Sequence, residues 1–90
     1  MTAQAEFTIA SELGLHARPA GEFAALAGKF AAEVSVARAG SDDWVSGRSV
    51  LSLLSLAASQ GTKLVLRADG ADRDAALAAL GALLTRPHAG

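Results

Sequence analysis

The chain is expected to fold as an α+β sandwich, a single four-stranded, mostly antiparallel sheet with three helices on one face. Three observations predict this. Short segments alternate polar and apolar residues, as half-buried strands do. Longer segments between them repeat their apolar residues with helical spacing. Glycine, aspartate and proline punctuate the joins, giving the order β-α-β-β-α-β-α. Only one connection between neighbouring strands is short enough for a hairpin, and helices fill the others.

Each element has its own signature. Glu6-Phe7-Thr8-Ile9-Ala10 alternates and reads as the first strand. The run Ser11-Glu12-Leu13-Gly14-Leu15-His16 breaks the pattern, with Gly14 permitting a turn. From Ala17 the spacing is helical: Ala20, Phe23, Ala24, Ala27 and Phe30 form one stripe. Pro19 lies near its start, where a missing N–H costs nothing, and Gly28 weakens its end. Glu33 to Arg38 alternates, with Val34 and Val36 inward and Ser35 and Ala37 outward. A turn over Ala39 to Asp43 leads to Trp44-Val45-Ser46, completing a hairpin. Ser49 to Ala58 reads as a short serine-capped helix closed by Gln60-Gly61. Lys63 to Arg67 is a further strand, with Leu64 and Leu66 on one face. After the Asp69-Gly70 turn, Asp72 and Asp74 open a last helix with charges suited to its dipole. Leu77, Leu80 and Leu84 form its buried stripe, Arg86 suits its C-terminal end, and Pro87 stops it.

Composition narrows the function. Ninety residues are expected to form a single domain over 1–90, with an ordered core from about 5 to 85. Such a domain has little room for an internal substrate cavity, which places any chemistry at a loop or a helix end. The net charge of −1 and the absence of a basic run argue against nucleic acid, as does an aromatic content of 4%. With no cysteine there can be no disulfide, thiolate metal site or cysteine nucleophile. Met1 to Glu6 lacks the marks of a signal peptide, and no apolar stretch approaches membrane-spanning length, so a cytoplasmic protein without membrane insertion is expected.

Of the two histidines, His88 lies in the tail and is expected to be disordered, whereas His16 stands at a strand-to-helix junction. The first turn of a helix has N–H groups without intrahelical partners and the positive end of the dipole, so it attracts anions. Arg18 can add a charge-assisted contact to a phosphate or carboxylate, and a neutral imidazole there can act as a nucleophile. Position alone leaves open the plainer reading of a surface or capping histidine. A metal site lacks accompanying ligands, and a serine triad lacks a Gly-x-Ser-x-Gly elbow. No cofactor is called for.

The segment Gly14-Leu15-His16-Ala17-Arg18-Pro19-Ala20 closely resembles the active-site signature of the HPr family of bacterial sugar phosphotransferase systems. A second stretch, Gly47-Arg48-Ser49-Val50-Leu51-Ser52-Leu53-Leu54-Ser55-Leu56, follows in order, and the turns at Gln60-Gly61-Thr62 and Asp69-Gly70-Ala71-Asp72 also resemble the family. The resemblance runs from about Glu6 to Leu84. It implies an open-faced β-sandwich and a monomeric phosphocarrier rather than an enzyme with turnover. It also implies that enzyme I, charged from phosphoenolpyruvate, phosphorylates His16 on Nδ1, and that the phosphohistidine donates to an EIIA domain of a sugar transporter. Arg18 would neutralise phosphoryl oxygens, with the backbone of Ala17 and Arg18 completing the phosphate site.

A helical wheel of the second helix puts Leu53, Leu56 and Ala57 on one side and Val50, Leu51 and Leu54 on the other. Such a helix is either buried on both sides or offers one apolar face to a partner. The resemblance favours the second, with Val50, Leu51 and Leu54 docking enzyme I and EIIA. It also makes Ser49 a candidate for regulatory phosphorylation by an HPr kinase, adding a charge of about −2 beside the docking patch.

Two departures stand out. The Ala39 to Trp44 hairpin is slightly longer than in many relatives. Ala25 and Gly28 stand where relatives often carry lysine, leaving Lys29, so partner steering is expected to rely on Arg18, Arg48 and apolar contacts. Other readings are a nitrogen-branch or regulatory carrier, a module of a dihydroxyacetone-kinase relay, and a non-catalytic module docking through the second helix. Retention of both His16 and Arg18 argues against the last.

Overall fold

The computed structural model describes residues 1–12 and 14–86; Leu13 and the tail that holds Pro87 and His88 lie outside the described residues. The elements run β1 (Thr2–Thr8), α1 (Ala17–Ala27), β2 (Glu33–Arg38), β3 (Val45–Ser46), α2 (Val50–Ser55), β4 (Lys63–Asp69) and α3 (Arg73–Thr85). They form one four-stranded sheet in the order β1-β4-β2-β3, and every pairing is antiparallel.

Register sorts the side chains. Phe7 faces Leu64, Ala5 faces Leu66 and Ala3 faces Ala68 across β1 and β4, while Val36 faces Leu66 and Val34 faces Ala68 across β2. Leu64, Leu66, Ala68, Val34 and Val36 are buried under the helices, as the alternation predicts. Phe23 of α1, Leu53 of α2 and Leu80 of α3 meet them without solvent exposure, joining the layers into one core. The other face remains open and carries Trp44, whose ring lies 3.9 Å from the Arg67 guanidinium.

Several expectations need correction. β1 begins at Thr2, upstream of Glu6, because its whole length pairs with β4. β4 runs on to Asp69 for the same reason. α1 stops at Ala27, and Phe30 packs on the core from the following turn. Ala37 lies on the open face beside Val65, yet its small side chain is fully covered. α2 covers Val50–Ser55 only; Ala57 is exposed and sits beyond the helix in a left-handed conformation, φ +51. The helix therefore ends before Gln60-Gly61 is reached.

Asp72 occupies the N-cap of α3 without a side-chain cap bond. Its carboxylate instead accepts from Ala31 N–H at 2.9 Å and Ala32 N–H at 2.8 Å, joining the start of α3 to the loop before β2. The Ala31 N–H is the main reason its carboxyl is held below the ordinary value. Burial opposes that shift, while the Ala32 N–H, its own N–H and the Arg48 charge reinforce it. Arg86 caps α3 and pairs with Glu22 of α1 at 3.5 Å, an exposed ion pair of small energetic weight.

Candidate functional site

The path from β1 into α1 is built on the segment that joins α2 to β4. Ile9 N–H donates to Thr62 O at 3.0 Å, and Gly61 N–H returns a bond to Ile9 O at 2.9 Å. Gln60 Nε2 donates to Ala10 O at 3.2 Å. Gly14 then takes φ +68, and a Cβ there would fall 2.6 Å from Ala58 O and 2.7 Å from Ser59 Cα. Both the left-handed backbone and the close approach require glycine. Leu15, buried, donates its N–H to Ala58 O at 3.0 Å.

These constraints deliver His16 to the N-cap of α1, with extended backbone (φ −101, ψ −172). Its carbonyl accepts the first helical bond from Ala20 N–H at 2.9 Å. Its side chain makes no cap hydrogen bond to the helix, so the imidazole is not used in the way that serine or aspartate caps are. The residue is half-buried, with the Nε2 atom on the covered side of the ring.

Ala17 and Arg18 are exposed in the first turn, where N–H groups have no intrahelical acceptor. The first turn contains no acidic residue, leaving the positive end of the dipole without a counter-charge from that turn. Among the described residues, the Arg18 guanidinium is held in no ion pair or hydrogen bond. A half-buried histidine at the N-cap and an exposed arginine two residues on thus share the start of one helix. Among the described residues no cluster of three or more His, Cys, Asp or Glu side chains could hold a metal, and no helix is long and apolar enough to cross a membrane.

α2 packs against α1 and places its apolar residues in three environments. Leu53 and Leu56 are buried in the core, as expected. Leu51 is 81% exposed and Val50 37%. Leu54 is half-buried against the core, so it is less open than the wheel suggested. Ser49 caps the helix, its hydroxyl accepting from Ser52 N–H at 3.2 Å. Arg48, expected to steer partners, spends its Nη2 on Phe30 O at 2.8 Å and Ala32 O at 3.3 Å, which ties it to the Asp72 junction. Of the scaffold from Ala58 to Thr62, the sequence reads Ala58 as the end of the second helix and Gln60-Gly61-Thr62 as a turn. The glycines at 14 and 61 were its sole visible sign.

Comparison with known proteins finds similarity over most of the chain. A model of the family described as "PTS HPr component phosphorylation site" matches residues 3–86. The chain is 43% identical over 82 residues to a phosphocarrier protein HPr of Haloferax volcanii, covering 91% of this chain and 92% of that protein. It is 42% identical over 79 residues to a phosphocarrier protein NPr of Shewanella violacea, covering 88% and 85%. The fold superposes on a crystal structure of HPr from Bacillus anthracis with a TM-score of 0.85, at 30% identity and covering 92% and 96% of the two chains.

Proposed function

Because the chain belongs to the HPr family, the phosphocarrier proteins of the phosphotransferase system, we propose that His16 carries the phosphoryl group, taken from phosphorylated enzyme I and passed to an EIIA domain of a sugar transporter. The observation that carries this reading is the placement of His16 at the N-cap of α1, with exposed Arg18 in a first turn that lacks acidic residues. Nε2 is buried, and the family resemblance makes Nδ1 the nitrogen that takes the phosphate. Its lone pair forms the new P–N bond as the bond between phosphorus and enzyme I breaks, and enzyme I keeps that electron pair. The Ala17 and Arg18 N–H groups and the Arg18 guanidinium take up the charge of the phosphoryl oxygens. Transfer to EIIA reverses the same steps, so the protein needs no cofactor.

Val50 and Leu51, with the accessible part of Leu54, form the docking patch on α2, beside the helix that bears His16. Ser49 at the cap is the residue at which an HPr kinase would act. A phosphate there suits the helix N-terminus but sets negative charge against the partner. The reading places the protein in the cytoplasm.

The test is to incubate the chain with phosphoenolpyruvate, Mg²⁺ and enzyme I and measure an acid-labile phosphate by intact mass. One phosphate on the parent and none on His16→Ala supports the assignment. No phosphate on the parent, with enzyme I active on another carrier, overturns it. The similarity to NPr favours a second reading, a nitrogen-branch carrier with the same chemistry and other partners. Comparing transfer among EIIA domains of both kinds separates the two.

A further inference from the structure

The exit from α2 is tied to His16 by a path that the active-site motif does not contain. The helix closes with Leu56 N–H donating to Leu53 O at 3.2 Å and Ala57 N–H donating to Leu54 O at 3.1 Å. Ala57 then takes φ +51, the one positive value among the described non-glycine residues. A residue with a Cβ does not hold that conformation without support. The next carbonyl, Ala58 O, receives Leu15 N–H at 3.0 Å and packs against Gly14. A change in the backbone at Ala57 would therefore move the surface on which Leu15 and His16 rest.

The support comes from the sheet. Arg38, the last residue of β2, reaches across an open groove of about 300 Å³ that is also lined by Ser41, Asp43 and Ser55. Its Nη1 donates to Leu56 O at 3.1 Å and, more weakly, to Ala57 O at 3.5 Å. A cation is favoured at the carbonyl end of a helix, and these two bonds grip the chain where it enters and leaves the left-handed residue. Arg38 is itself exposed, so its removal opens no cavity in the core.

We propose that Arg38 is a positioning residue for phosphoryl transfer: by clasping the Leu56 and Ala57 carbonyls it holds Ala57 left-handed and so fixes the Ala58 carbonyl that anchors the Leu15–His16 backbone. The consequence for transfer rests on the phosphocarrier reading of His16, whereas the consequence for backbone order does not. The clasp also makes the docking helix and the histidine one mechanical unit, braced from β2.

The experiment compares the full-length parent with Arg38→Ala, Arg38→Lys, Ala57→Gly and the Arg38→Ala/Ala57→Gly double variant. Hydrogen exchange of the Leu15 amide reports the anchor, and phosphoryl transfer from enzyme I reports kcat and KM. Arg38→Ala is expected to speed Leu15 exchange by about tenfold, the equivalent of one hydrogen bond, and to lower kcat several-fold without changing KM. Arg38→Lys, which keeps a donor, restores part of both. Glycine holds the left-handed region without a clasp, so Ala57→Gly is expected to restore Leu15 protection and kcat in the Arg38→Ala background. Loss of a surface charge alone predicts no such rescue. Parent-like exchange and kcat in Arg38→Ala, or no recovery in the double variant, overturns the proposal. If the parent itself accepts no phosphate, the phosphocarrier reading fails, and the Leu15 exchange comparison still decides whether the clasp exists.

Discussion

Gly81 tests whether the contact between α3 and β1 limits what the sheet can carry. It is buried in the middle of α3, where alanine would ordinarily strengthen the helix by about 1 kcal/mol. Here an added Cβ would lie 2.2 Å from Phe7 Cε1, 2.3 Å from Cζ and 2.9 Å from Cδ1. The nearest approach falls about 1.3 Å short of the roughly 3.5 Å at which carbon atoms normally meet. The obstacle is a rigid ring on a paired strand, so either Phe7 leaves its rotamer or α3 lifts. Overpacking of this kind costs about 1–3 kcal/mol, and two carbons inside 2.4 Å point to the upper half of that range. The clash therefore outweighs the helix gain, leaving Gly81→Ala destabilised by about 1–2 kcal/mol. In a domain of this size that lowers Tm by roughly 5–15 °C.

Gly21 is the internal control. It lies inside α1 with nothing within 4 Å of an added Cβ. Gly21→Ala should therefore stabilise, by about 0.5–1 kcal/mol. Urea titration followed by far-ultraviolet circular dichroism measures both, with the fluorescence of Trp44, the single tryptophan, checking that unfolding is two-state. A Gly81→Ala variant as stable as the parent would refute the packing argument. So would failure of Phe7→Leu to remove the penalty, because that change takes away the ring the Cβ meets.

Other predictions follow from the same structure. Asp72 has a depressed folded-state pKa, so its contribution to stability is complete above the usual carboxylate value and fades as pH falls through the lower folded value. Asp72→Asn should flatten that acid limb in urea midpoints measured from pH 6 down to pH 2, and an unchanged limb would count against the assignment. Ser49→Ala should cost about 1 kcal/mol through loss of the cap. Ser49→Asp retains a capping oxygen, so it should stay close to the parent in stability while slowing transfer from enzyme I; parent-like transfer would argue against regulation at Ser49. Leu51→Ala should change the urea midpoint little, because the side chain is 81% exposed, yet raise KM for enzyme I severalfold, as loss of a docking contact would.

Local pattern was enough to read the layers and the histidine. Alternation in Glu33 to Arg38 and the stripe through Ala20, Phe23, Ala24 and Ala27 are one-dimensional records of which side faces apolar neighbours. His16 and Arg18 were legible because helix starts have a sequence signature, and their motif resembled a known one. The limits of α2 were not, since apolar residues continue past its end and only the Ala57 backbone shows where the chain leaves the helix.

The sequence by itself therefore determined the element order, the main apolar stripes of the core and the place of His16 and Arg18 at the start of α1, all of which follow from neighbours within a turn or two. Tertiary structure decided the tasks of the charged groups. Asp72 reaches Ala31 and Ala32, Arg48 reaches Phe30 and Ala32, and Arg38 reaches Leu56 and Ala57. Each partner is a backbone amide or carbonyl, a group every residue but proline offers in full, so no residue type in the sequence marks which one will be taken. Only the closing of the sheet and helices brings a particular orphan group within reach of a particular side chain.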